Sequence, residues 1–180
     1  MAKYGIFEST NLVATKFGAH IVDALVTEDT ENGSVGYVKY VDGVPTFTKF
    51  TADTIGKFEP VIVAQPAWSY DESYTKNQRA NQFIVEANTT ARCYTTVAMD
   101  KFSLSAEAIK GTPAVGKYLV LEADSGKFAV SDTAAGAYVA EIVATHMRGA
   151  SLELKNGSVY GESTVMYEAV VRANVVSYAA

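Results

Sequence analysis

Apolar and polar residues alternate along much of this chain, with a period of two. Phe102, Leu104 and Ala106 are separated by Ser103 and Ser105 and followed by Glu107, the pattern of a strand with one face on a core. In a second such stretch, Tyr167, Ala169, Val171 and Ala173 fall on one side and Glu168, Val170, Arg172 and Asn174 on the other. Ile21 to Thr27 and Val61 to Ala64 are short and apolar enough to predict buried strands. Further strands are predicted over Tyr37 to Val41, Thr46 to Phe50, Gln82 to Ala87, Arg92 to Met99, Tyr118 to Ala123, Lys127 to Ser131 and Tyr138 to Thr145.

The residues between these runs are turn formers. Asp42-Gly43 between two β-rich runs predicts a hairpin, because glycine takes positive φ without steric cost. Pro45 then belongs at a strand start or an edge, where its missing N–H is not needed. Asp124-Ser125-Gly126 and Asn156-Gly157 mark two more turns. Thr164 to Ala173 can be drawn as a helix, but its valines and its alternation favour a strand. Many short strands at close spacing, with Gly, Asn and Asp between them, predict an all-β fold: an antiparallel sandwich or barrel-like structure with little helix.

One stretch breaks the pattern. Gln65 to Asn81, QPAWSYDESYTKNQRAN, is polar, aromatic and without period. It reads as a long loop, and loops of this length in compact proteins often carry function. The resulting division is an N-terminal arm and β subdomain (1–64), the loop (65–81) and a C-terminal β subdomain (82–180). Trp68, Tyr70, Tyr74, Asn77 and Arg79 form a candidate interface, since flat apolar area mixed with polar side chains suits a protein surface or a sugar. The alternative is that Trp68 plugs a core beneath its own loop. Lys3 to Thr15 also has two readings: an arm that adds a strand to a partner's sheet edge, or the first strand of the protein's own sheet.

Composition changes the picture in a few places. The 180 residues are 48% hydrophobic and 19% charged, which allows a packed core in one ordinary domain or two small ones. Net charge is -5 and the basic residues are scattered, which argues against nucleic acid as a direct partner. No apolar run is long enough to cross a bilayer, and Met1 to Thr15 has no signal-peptide pattern. Cys93 is the single cysteine; an internal disulfide is excluded, and a small buried hydrophobe is the expectation for it.

Each candidate chemistry meets a specific obstacle. Gly111-Thr112-Pro113-Ala114-Val115-Gly116-Lys117 fits a phosphate-binding loop until Tyr118, which replaces the magnesium-holding hydroxyl. Pro113 removes one N–H from the cradle, and strand, turn and strand are predicted where a helix should follow. His20, His146 and Cys93 cannot build a zinc site without carboxylates from elsewhere. Glu28, Asp29 and Glu31 cluster before Asn32-Gly33 but lack calcium-loop spacing, so a solvated turn is expected. Gly161 to Val165, GESTV, lacks the second glycine of a nucleophile elbow. The expectation is no catalytic residue, no cofactor and no metal: a protein that is not an enzyme.

Four segments in order, ENGSVG (Glu31 to Gly36), VIVAQPAWSYDE (Val61 to Glu72), SAEAIKGTPAVGKYLVL (Ser105 to Leu121) and VYGEST (Val159 to Thr164), resemble head decoration or auxiliary proteins of tailed bacteriophages. The resemblance implies a virion component on the capsid exterior, made in the bacterial host cytoplasm. It implies binding to the major capsid protein lattice with self-association there, so that many repeated contacts resist internal pressure through avidity. It assigns no role to any single residue. Two other functions stand beside it: a tail-tube or head–tail connector subunit, and a carbohydrate-binding β module using the loop aromatics.

Overall fold

The structure, a computed structural model, describes residues 3–17, 20–67, 80–155 and 158–177; for 17, 150–155 and 158–162 it describes backbone and register. The fold is all-β, as the alternation predicts. Five strands close into a barrel: β2 (Ile21–Val26), β3 (Val35–Val41), β4 (Val44–Thr48), β5 (Val61–Val63) and β6 (Thr89–Thr95), in the order β2-β4-β3-β5-β6. Seven strands make an open sheet: β1 (Phe7–Asn11), β7 (Lys101–Ser105), β8 (Ile109–Lys110), β9 (Tyr118–Leu121), β10 (Phe128–Ser131), β11 (Tyr138–Lys155) and β12 (Ser158–Asn174). Their order is β1-β7-β12-β11-β9-β10-β8. Among the described residues, helix is confined to α1 (Val13–Phe17) and one 3-10 turn, Ala106–Ala108.

Strand membership crosses the chain's midpoint. β1 precedes every barrel strand, yet it pairs antiparallel with β7 at one edge of the large sheet. Of the two readings of Lys3 to Thr15, the segment therefore adopts the strand of its own sheet. β6 follows the long loop, yet it closes the barrel between β2 and β5.

The short apolar strand β5 explains how the two sheets share a core. Val61 and Val63 pack in the barrel cluster with Ala24, Val26, Phe47, Ala91 and Cys93. Ile62, between them, packs in the larger cluster with Phe102, Leu104, Phe128 and Tyr138. Both faces of β5 are buried, which is why its residues do not alternate. Stacked rings run through the larger cluster: Phe7 to Phe102 at 5.9 Å, Phe102 to Phe128 at 5.9 Å, and Phe128 to Tyr138 at 5.4 Å.

Two local expectations need correction. β7 is buried on both faces instead of one. It lies between β1 and β12, and its serines are polar without being wet: Ser105 Oγ accepts the Ile6 N–H at 3.1 Å, and Ser103 Oγ lies 3.1 Å from Thr10 Oγ1. Gln82 to Ala87 is not a strand. It makes one β-bridge, Thr30 to Val85, which pins the buried Phe83 and Val85 against the barrel cluster.

The barrel meets the sheet at a close backbone approach. A Cβ added to Gly33 (φ +85°) would lie 2.7 Å from Leu104 Cδ2 and 3.0 Å from Ala108 Cβ. One added to Gly5 would lie 2.5 Å from the Asn32 carbonyl oxygen. Glu31 fastens this joint. Its Oε2 accepts the Gly5 N–H, and its Oε1 pairs with Lys127 Nζ at 2.6 Å. Across the same seam the Val35 N–H donates to Gly126 O at 2.9 Å and the Asp124 N–H to Phe50 O at 2.7 Å. Gly43 is the comparison: it is also left-handed, at φ +80°, with nothing within 4 Å of an added Cβ. Gly33→Ala is expected to lose about 3 kcal/mol and Gly43→Ala only about 1 kcal/mol, measured by urea unfolding; equal losses would remove the close approach as the reason for Gly33.

Candidate functional site

The candidate interface named from sequence, Trp68, Tyr70, Tyr74, Asn77 and Arg79, lies outside the described residues. The other singled-out residues are placed. Tyr118 opens β9, and Gly116 and Lys117 form the turn before it, with the Gly116 N–H donating to Ile142 O at 2.8 Å and Lys117 Nζ 3.2 Å from Asp132 Oδ1. β9, a turn with Asp124 at φ 59° and β10 follow, so the phosphate-loop-like stretch is a β-hairpin with its lead-in turn. Cys93 is fully buried in the barrel. Burial, with the Asp23 carboxylate adding to it, pushes its thiol from an ordinary 9.0 up to about 12, so it is an unreactive hydrophobe near neutral pH.

The acidic turn is exposed over Thr27 to Asp29, as expected, and is tied down at Glu31. Its carboxylates are engaged: Glu28 pairs with Lys49 at 2.6 Å, Asp29 accepts the Ala87 N–H at 2.9 Å, and Glu31 is held in the inter-sheet joint with its side chain only 16% exposed. Of the three carboxylates, Glu31 alone departs from the solvated turn expected, and it helps to fasten the two sheets.

Two exposed apolar features remain. The first is the β3–β4 hairpin. Asp42 and Gly43 are both left-handed, at φ 50° and 80°, as a two-residue primed turn requires. Its tip carries Tyr40, 74% exposed, with Val41 and Val44 also exposed. Beside it lies a cleft of about 540 Å³ walled by Leu25, Val41, Val44 and Thr46. The cleft follows from the barrel's weakest seam, where β2 and β4 run parallel and pair at one position, Leu25 to Thr46.

The second is the β11–β12 ribbon. Its base is in the middle of the large sheet, where β9 pairs with Val139 to Glu141 and β7 with Met166 to Val170. Beyond His146 and Met166 the two strands pair only with each other among the described residues, down to Lys155 opposite Ser158. At ~3.3 Å per residue this arm is about 30 Å long.

Register decides the arm's character. Met147 faces Val165, and both are exposed, at 58% and 40%. Strand alternation carries the same face to the positions of Leu152 and Gly161, then of Leu154 and Val159. The opposite face begins with His146 and Arg148. Glu8 of β1 holds both, with Oε2 3.2 Å from His146 Nε2 and Oε1 3.2 Å from Arg148 Nε. The arm is thus fastened to the sheet on its polar face, and its apolar face is left uncovered at Met147 and Val165.

A buried polar knot secures the end of the β11–β12 pair opposite the arm, where Tyr138 faces Asn174. Tyr138 OH lies 3.0 Å from Thr96 Oγ1, Asn174 Nδ2 donates to Thr96 O at 2.8 Å, and Asp100 accepts the N–H groups of Val13 and Val97, each at 2.9 Å. Burial raises the Tyr138 phenol strongly, against the Thr96 hydrogen bond and with the Asp100 carboxylate adding to the rise.

Sequence reading missed the arm because it ended one strand at Thr145 and began the next at Tyr167. The signal was available: alternating apolar residues converge from both sides on Asn156-Gly157, the strongest short hairpin signal. Compared with protein-family models, with curated proteins and with solved structures, the chain has no match. Among the described residues, no group of three or more His, Cys, Asp or Glu side chains is placed to hold a metal.

The two raised groups set an alkaline limit. Each is neutral in the native protein at a pH where it would ionise in the unfolded chain, so its stabilisation is complete below the ordinary value and is lost as pH rises above it. For Cys93 the loss runs from 9.0 to about 12, at about 1.4 kcal/mol per pH unit. Urea midpoints are expected to fall from pH 9 upward; in Cys93→Ala the fall begins near 10.0, the ordinary value of the tyrosine. Identical profiles for the two proteins would contradict the assignment.

Proposed function

We propose that this protein is a capsid decoration protein of a tailed phage, which binds the major capsid protein lattice and stabilises the head by adhesion. The observation that supports the reading is the presence of two exposed apolar features on one body: the Tyr40–Val44 tip with its cleft, and the Met147–Val165 pair at the base of the β11–β12 arm. A protein that reinforces a lattice touches more than one neighbour, and weak contacts made together reach an avidity that neither reaches alone. The segments that resemble decoration proteins add to this. Glu31 to Gly36 forms the inter-sheet joint, Val61 to Ala64 contains β5, Ser105 to Leu121 runs from the end of β7 into β9, and Val159 to Thr164 lies in the arm.

The body contact with the shell is assigned to the β3–β4 tip. Tyr40 offers a large, rigid aromatic surface, the type of side chain that dominates interface energies. Saturable binding to capsid shells lacking this protein is expected, with a rise in the shells' resistance to heat. Tyr40→Ala with Val44→Asp is expected to weaken that binding at least tenfold while leaving the thermal unfolding of the free protein within about 2 °C. Absence of saturable binding by the wild type, or formation of rings or tubes by the isolated protein in electron micrographs, would overturn the reading, the second in favour of a tail-tube or connector subunit.

A further inference from the structure

We infer that the cleft between β2 and β4 binds an extended peptide segment, apolar with an acidic residue at its centre, which adds to the barrel along its open seam. This deepens the reading above and rests on it for the source of the segment, the major capsid protein.

The main chain points to a strand as the occupant. The Thr95 N–H donates to His20 O at 2.9 Å, and the β2–β6 register continues from that pair. Val22, Ala24 and Val26 therefore turn their backbone groups to β6, and Leu25 and Thr27 turn theirs to the other side. The Asp42-Gly43 turn makes Val41 and Val44 the first hydrogen-bonded pair of the β3–β4 ladder. By the same alternation Phe47, and Lys49 just past the end of β4, present their groups toward β2. The two strands nevertheless meet at a single bridge, Leu25 to Thr46. Among the described residues the ladder does not go on to Thr27 and Lys49, both of which wall the cleft. Unpaired backbone of this kind is a template for another chain, and an added strand brings donors and acceptors at the matching interval.

The side chains set what that strand carries. The cleft, of about 540 Å³, runs along β4, which is five residues long. Leu25, Val41 and Val44 give it apolar walls. Lys39, opposite Thr46 in the register, is exposed and has no charged partner among the described residues. At the far end Glu28 and Lys49 neutralise each other, and Asp42 stands at the turn. An acid on the bound segment is thus favoured at its centre and disfavoured at the turn end. A sugar fits less well. Phe47, the aromatic residue of this lining, is buried in the barrel cluster and offers no open ring face.

NMR titration of the full chain with the peptide acetyl-Val-Thr-Glu-Thr-Val-amide tests this without any capsid. Alternation puts both valines and the glutamate on one side of the peptide strand. Amide shifts centred on residues 25–28 and 39–49 are expected, saturating at roughly millimolar peptide, as suits a short segment with few contacts. The same peptide N-methylated at every residue, which has no main-chain donors, is expected to bind at least tenfold more weakly. A peptide with lysine in place of the glutamate is expected to bind several-fold more weakly to the wild type and more tightly than the acidic peptide to Lys39→Glu. No shifts up to about 10 mM peptide, or equal binding by the N-methylated peptide, overturns the inference. So do shifts of these amides with protein concentration alone, which would give the cleft to a second copy. Peptide binding by a chain that does not bind capsid shells keeps the site and removes the capsid reading. Shell binding that leaves the Thr27 and Lys49 amides as open to hydrogen exchange as in the free chain removes the site and keeps the reading.

Discussion

The structure depends on the absence of two side chains. Gly33 lets barrel backbone lie against Leu104 and Ala108, and Gly5, just before β1, lies against the Asn32 carbonyl and Ala108, at distances where any Cβ would collide. Because of that contact, Glu31 reaches both the Gly5 amide and the Lys127 ammonium, and one cluster contains Val35, Tyr37 and Ile62 together with Phe102, Leu104 and Phe128. A larger residue at either glycine separates the faces that share this core. Interiors are packed as densely as organic crystals and yield little, so separation by even a methyl group is felt across the cluster.

The elements that follow one physical rule were readable in the sequence. Asp42-Gly43 defines a primed turn by itself, and it is found where expected. The alternation from Tyr167 to Asn174 forms a strand whatever lies around it. What the sequence could not convey was neighbourhood. Ser103 and Ser105 have the pattern of a wet face, yet β1 and β12 cover them and their hydroxyls are used inside. Gln82 to Ala87 has strand composition but one bridging partner. Glu31 looks like one more acid in a polar turn; its role appears only when Gly5, 26 residues earlier, and Lys127, far downstream, arrive beside it. The sites were less legible than the fold. The loop aromatics drew attention through composition, whereas the arm is defined by pairing between residues on two long strands.

The arm's placement ties the ribbon to the core. β11 and β12 are inner strands of the large sheet before they become a free ribbon. Ile142, Ala169 and Val171, fully buried near its base, belong to the shared core. A pull on the ribbon is thus carried into the shared core. Glu8 reaches from edge strand β1 to His146 and Arg148 and braces the ribbon from its polar side. Exposed ion pairs of this kind contribute modestly, so the brace orients the arm more than it strengthens it.

The amphipathic face itself is made by a defect. Met147 and Leu152 are five residues apart and in an unbroken strand would point to opposite sides. The register shift between Arg148 and Ser151 sets two residues of β11, Gly149 and Ala150, against the one residue of β12, Ser163. A single added residue exchanges the faces of everything beyond it. Leu152 and Leu154 thereby join Met147, while β12 runs from Val159 through Gly161 to Val165 without interruption. Deleting one residue from the bulge would leave the composition of the arm almost intact and scatter its apolar positions over both sides. The two-sided character of the ribbon therefore resides in its register.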